Sequence, residues 1–133
     1  MIIVDTNVIS FLYLTGVHSS EAEQAFCKDP QWFAPLLWRS EFRNVLAGYI
    51  RKGLLTFTDA HQIMVEASQF MHGREYEVDS LRVLRLVAAS TCSAYDCEFV
   101  ALAQDLNAPL VTLDRQILEQ FPNITIALRT FMA

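Results

Sequence analysis

A chain of 133 residues, 53% of them hydrophobic with a mean hydropathy of +0.25, excludes a disordered protein and is expected to form a single domain over residues 1–133. No apolar run reaches the ~20 residues a membrane-spanning helix needs, and Asp5 interrupts the apolar opening with no basic residue before it, so neither a membrane anchor nor a secretory signal is expected. Ten basic against fifteen acidic residues leave a net charge of −5, which argues against a broad basic face for nucleic acid, and three cysteines in no paired framework suit reduced thiols and a cytoplasmic protein.

Met1 to Val4, rich in Ile, reads as a strand covered on both faces. A short helix from Asn7 to about Leu14 follows, closed by Gly16. Ser20-x-x-Glu23 is a capping-box pattern that opens a helix to Lys28. Trp32 to Leu37 has strand character, and Trp38 to Lys52 is helical with Gly53 as its C-cap. Thr58 or Asp59 caps the next helix, which ends near His72. Arg74 to Val78 alternates as a strand, and Asp79 or Ser80 caps a helix carrying Leu81, Val83, Leu84, Leu86 and Val87. Ser93-x-x-Asp96 opens a helix through Leu106. Leu110 to Leu113 is a strand, Asp114 to Glu119 a short helix and Ile124 to Ala127 a last strand. Strands separated by helices imply βαβ crossovers, hence an α/β fold with a mostly parallel sheet covered on both faces. The long helical stretch between the second and third strands reads as an inserted hairpin.

In an open parallel sheet the ligand site lies beyond the carboxyl ends of the strands. Asp5 and Asp114 fall at such ends, and Glu41 and Asp96 lie on helices that should begin near the same edge. Helix capping is the structural alternative for Asp5 and Asp114, and a capping box with Ser93 for Asp96. Glu41 has Leu37, Trp38, Asn44 and Val45 three and four residues away, and Asp96 has Cys92, Ser93, Phe99 and Val100. Neither has a basic partner at helical spacing, so both point along largely apolar stripes. Carboxylates gathered on one edge would repel by about 4 kcal/mol per pair at ~4 Å and an effective dielectric near 20. Protonation or a divalent cation relieves that repulsion. All-oxygen ligands, with neither a cysteine cluster nor a histidine pair, favour Mg²⁺ or Mn²⁺ over Zn²⁺. An acidic cage open to water and phosphate is an arrangement that cleaves phosphodiesters.

The motifs Asp5-Thr6-Asn7-Val8, Ser40-Glu41, Ser93-Ala94-Tyr95-Asp96 with Phe99 to Ala103, and Leu110-Val111-Thr112-Leu113-Asp114-Arg115 together resemble the PIN domain. The small form of the chain is similar to VapC-type toxins of bacterial and archaeal toxin–antitoxin pairs. The resemblance spans essentially the whole chain. It implies an α/β/α sandwich and a Mg²⁺- or Mn²⁺-dependent endoribonuclease in which a metal-activated water attacks, leaving 5′-phosphate and 3′-hydroxyl ends. It assigns Asp5, Glu41, Asp96 and Asp114 as metal-binding and catalytic acids, with Thr6, Asn7 and Thr112 as supporting polar residues. Glu98 is an added acid, either support for the site or a plain helix residue. The resemblance further implies a homodimer and a cognate antitoxin protein that covers the cleft. One or two divalent ions would bring the net charge from −5 to −3 or −1. RNA contact must then be local, and Arg39, Arg43 and Arg115 are expected to flank the groove.

Other readings fit less well. A phosphoryl-accepting receiver domain needs a lysine near the last strands, and the only lysines are Lys28 and Lys52. A haloacid-dehalogenase-like phosphatase needs a second Asp where Asn7 stands. The four glycines form no phosphate-cradling loop. The remaining alternative is a non-catalytic PIN-like module that binds RNA or protein, and the presence of all four acids counts against it.

Overall fold

The computed structural model describes residues 1–133. Five parallel strands form one sheet: β1 (Ile2–Val4), β2 (Trp32–Pro35), β3 (Glu75–Tyr76), β4 (Leu110–Thr112) and β5 (Thr125–Ala127), in the order β3-β2-β1-β4-β5. Ile3 at the centre lies in register with Phe33 of β2 and Leu110 of β4. Every residue of β1 and β4 is buried, which explains their unbroken apolar character. The edges are held by a two-residue strand and by a half-buried one, which limits the unpaired backbone on offer to another chain.

The helices are α1 (Thr6–Tyr13), α2 (Ser19–Lys28), α3 (Leu37–Arg51), α4 (Phe57–Met71), α5 (Ser80–Ala88), α6 (Ala94–Leu106), α7 (Arg115–Gln120) and α8 (Leu128–Met132). One layer consists of α6, which packs on β1, β2 and β4, with α5 laid along it. The opposite layer joins α1 to α2 and α3, α2 to α8, and α3 to α4. This is the three-layer α/β/α sandwich expected, and the sheet is wholly parallel. The inserted hairpin is α3 with α4, between β2 and β3. No helix is long and apolar enough to cross a membrane.

Local differences from the sequence reading have identifiable causes. The expected box at Ser20 does not form: α2 begins at Ser19, and His18 at its N-cap makes no side-chain bond there. Ser19 Oγ instead accepts from the Gly16 amide and donates to the Leu14 carbonyl, both at 2.8 Å, tying the preceding turn. Thr56, not Thr58 or Asp59, caps α4 by accepting from the Asp59 amide at 3.1 Å. β2 stops at Pro35, because Leu36 already has helical dihedrals; an apolar run hides such a switch from strand to helix. The terminal α8 falls in a segment that sequence reasoning left unassigned. Asn107 ends α6 at φ +49°, a left-handed C-cap that Asn tolerates better than most side chains.

Candidate active site

The strand order places the site. From β1 the chain moves outward to β2 and β3, and from β4 outward to β5, so β1 and β4 flank the point where the winding reverses. Asp5 follows β1 and Asp114 follows β4 by two residues. Both are N-caps as well: Asp5 Oδ1 accepts from the Val8 amide at 3.2 Å, and Asp114 Oδ1 from the Ile117 amide at 3.0 Å. Capping therefore orients these carboxylates at the sheet edge rather than replacing their part in the site.

Thr112, fully buried, links the two. Its hydroxyl donates to Asp5 Oδ2 and accepts from the Asp114 amide at 3.0 Å. Thr6 links the next pair of elements, donating from Oγ1 to Glu41 Oε1 at 2.6 Å and so joining α1 to α3. Asp96 sits in the first turn of α6, where the amide of its own residue bonds Ser93 Oγ at 3.1 Å. The positive end of that helix favours a negative charge there.

Asp5, Glu41, Asp96 and Asp114 line one cleft of about 260 Å³, with Thr6 and Asn7 beside them. No lysine or arginine lines it, and none of the four acids enters an ion pair. Burial pushes the Asp5 carboxyl up to about 6, against the pull of its bonds to Thr112 and Val8, and the charges of Asp114 and Glu41 add to the rise. Burial also raises Glu41, with the charge on Asp96 adding to it, and raises Asp96 with the charge on Asp114 adding. As they stand, no three of these carboxylates come close enough together to hold one ion. Two of them are tethered to hydroxyls, and mutual repulsion keeps uncompensated carboxylates apart. The donor set is nonetheless all oxygen, as a hard divalent cation requires.

Other expected residues lie elsewhere. Arg39 bonds Glu75 of β3 through both Nε and Nη2, and lines a different hollow beside α4. Arg43 and Arg115 are exposed but do not line the cleft. Glu98 lines a neighbouring apolar groove, and burial raises its carboxyl, with the charge on Glu41 adding to the rise. Trp32, Phe42 and Phe99 are buried packing residues, and Phe99 also walls the cleft. The cleft further includes Asn44, Val45 and Ile117, which sequence reasoning did not single out. Asn44 was within reach, since it stands one helical turn after Glu41 on the same stripe.

Fold and cleft together define an α/β/α protein with four acids gathered at the switch point of a parallel sheet. The chain belongs to the PIN domain family, which matches it over residues 2–122. It is 30% identical over 124 residues to Ribonuclease VapC3 of Pyrobaculum aerophilum, covering 91% of this chain and 95% of that protein. In three dimensions it resembles PAE2754 of Pyrobaculum aerophilum, with a TM-score of 0.76 at 20% identity over 98% of this chain and 92% of that one. A toxin–antitoxin complex from Klebsiella pneumoniae gives 0.70 at 18% identity, covering 96% of this chain and 98% of that chain. FitAcB from Neisseria gonorrhoeae gives 0.73 at 16%, covering 97% and 99%.

Proposed function

We propose that this protein is a divalent-metal-dependent endoribonuclease and the toxin of a toxin–antitoxin pair. The observation that carries the reading is the meeting of Asp5, Glu41, Asp96 and Asp114, from four separate elements, in one cleft without a basic partner. Likeness to a protein named Ribonuclease VapC3 over nearly the full length supports RNA as the substrate. The Klebsiella pneumoniae toxin–antitoxin complex supports an antitoxin as partner.

In this reading the four carboxylates hold Mg²⁺ or Mn²⁺. The ion, when bound, acidifies water and offsets charge that develops on the leaving oxygen. Thr112 sets the angle of Asp5 and at the same time fixes the backbone that carries Asp114. Thr6 holds Glu41 by one oxygen and leaves the other without a donor. Asp5 accepts one bond on each oxygen, and each retains a second lone pair for a ligand. Asn7 and Asn44 put amide donors beside the acids, placed to receive phosphate oxygens. No side-chain nucleophile is required, so water is the attacking group. Arg43 and Arg115, both exposed, supply phosphate contact outside the cleft, and Arg39 is committed to Glu75. A homodimer fits the exposed apolar groups Leu36, Tyr76 and Leu84, which line one groove.

The test is cleavage of RNA by purified protein with Mg²⁺ or Mn²⁺ and with EDTA. Asp5→Ala and Asp96→Ala are each expected to lower kcat by roughly two to three orders of magnitude, since several kcal/mol of charge stabilisation depends on the ion. Cleavage that survives EDTA and both substitutions refutes the proposal. The competing reading, a PIN-like module that binds without cutting, takes support from the spread of the carboxylates. Calorimetric titration with Mn²⁺ separates the two, because a degenerate site binds the ion weakly or not at all.

A further inference from the structure

The acidic cleft continues past its carboxylates. Asn7 and Val45 form part of its wall and also line a second hollow, of about 480 Å³, bounded by α1, the turn after it and α3. Phe11 of α1, His18 after the turn and Tyr49 of α3 supply aromatic surface there, and each is partly exposed. The rings of Phe11 and His18 stand 4.9 Å apart, centroid to centroid. No carboxylate, lysine or arginine lines this hollow. The apolar groove lined by Leu36, Val83 and Leu84 differs, because Glu77 and Glu98 border it and would repel a polyanion.

A nucleotide held by its phosphate at the acids must place its base somewhere close by. A base is flat, aromatic and uncharged, and it carries hydrogen-bonding edges. It therefore prefers neutral aromatic walls with a few polar groups, and it presents its face only when it is unpaired. The hollow offers such walls, with the Asn7 amide and the exposed Thr15 hydroxyl as polar groups, and its size is that of a small-ligand site. We propose that it is the subsite for the base of a nucleotide next to the scissile phosphate of single-stranded RNA, a proposal that rests on the ribonuclease reading above. The subsite gives the enzyme a preference for a particular base beside the cut.

Gly16, at the rim, offers a test. A Cβ built there meets nothing within 4 Å, and its φ is not left-handed, so the backbone accepts a side chain and Gly16→Trp puts a bulky ring at the rim of the hollow. His18→Ala removes a ring that makes no capping bond. Wild-type protein with Mg²⁺ is given a random-sequence pool of single-stranded RNA, and one oligonucleotide that it cuts is resynthesised with an abasic site walked across the cut. An abasic site at one flanking position is expected to raise KM roughly 5- to 150-fold, the range that loss of one base stack implies, with a smaller change in kcat. Both variants raise KM on intact RNA but add nothing on that abasic RNA, because the interaction is already gone. Melting temperatures confirm that both are folded.

The proposal is overturned if no abasic position raises KM. It is equally overturned if folded variants cut intact RNA with wild-type KM, as they would if the hollow seated a protein segment instead. Either result leaves the ribonuclease reading standing. Failure of the wild type to cut any RNA with Mg²⁺ or Mn²⁺ removes that reading and the subsite with it.

Discussion

Asp5 caps a helix and faces an acidic cleft from the same position, and the two roles pull its carboxyl in opposite directions. The amide of Val8 and the hydroxyl of Thr112 favour the ionised form, but burial and two neighbouring acids outweigh them, and the group rises to about 6. A raised carboxyl adds no penalty below the unfolded value near 3.8, where both states are protonated. The cost builds from about 3.8, where the unfolded chain releases the proton that the folded one retains, and is complete above about 6, where both are ionised. Asp5→Asn keeps an acceptor for Val8 and removes the buried charge. In EDTA at pH 8 we expect this variant to be more stable than wild type by up to about 2–3 kcal/mol, the equivalent of that rise, and to show no gain near pH 3.5. With saturating Mg²⁺ the order reverses, since only the wild type gains from binding the ion. Urea titrations in the two buffers decide it, and equal stability at pH 8 in EDTA refutes the assignment of strain to this carboxylate.

At the scale of elements, α3 holds the molecule's layers and site together. Glu41 and Asn44 face the cleft from one side of this helix, while Trp38 and Arg39 turn towards β3. Glu75 accepts from Trp38 Nε1 at 2.6 Å and from Arg39 Nε at 2.7 Å, so a two-residue strand is fastened by side chains as well as by its short ladder. Burial alone would raise Glu75, but the bonds from Arg39 and Trp38 bring it below the usual carboxylate range. A lowered carboxyl stabilises above its unfolded value of 4.5, and that contribution disappears as pH falls through the folded value, opposite in sign to Asp5. Arg39→Ala should cost about 1–2 kcal/mol at neutral pH, discounted because the arginine is itself partly exposed. The cost should shrink in acid. A loss unchanged at pH 3 would show packing, not charge, to be the cause. Arg39 was expected at the RNA groove because it lies one turn before Arg43. Helical spacing shows which residues share a stripe, but it cannot show that a strand some 35 residues later brings an acid to meet one of them.

For the whole molecule, the question is how a chain of charge −5 meets a polyanion. The surplus acid is partly concentrated in the cleft, where bound ions would cancel it, and exposed arginines lie outside. On another side, Leu84 of α5 is 61% exposed in a groove shared with Tyr76 and Leu36, an apolar patch left open to water. If two copies cover this face, Leu84→Asp should weaken their association roughly 100-fold or more, because burying a leucine is worth about 1.5–3 kcal/mol and each copy contributes one. Sedimentation across a concentration series measures this, and a variant that self-associates like the wild type would place the dimer contact elsewhere.

Patterning alone determined the α/β class, strands over Met1 to Val4 and Leu110 to Leu113, each within a residue of those observed, and the candidate acids at the ends of those strands. Alternation of short apolar runs with helical stretches allows few topologies, and a carboxylate that ends a buried strand in such a fold can only lie at its carboxyl edge. Tertiary structure decided what local spacing cannot encode: that Thr112 bridges Asp5 and Asp114, that Arg39 belongs to Glu75, and that Asn44 joins the cleft. It also decided that an aromatic hollow lined by no carboxylate, lysine or arginine opens beside the acids. Most of these contacts join residues from separate elements, Thr112 and Asp5 lying 107 positions apart, and their partners are chosen by how layers pack and which polar groups need satisfying once water is gone.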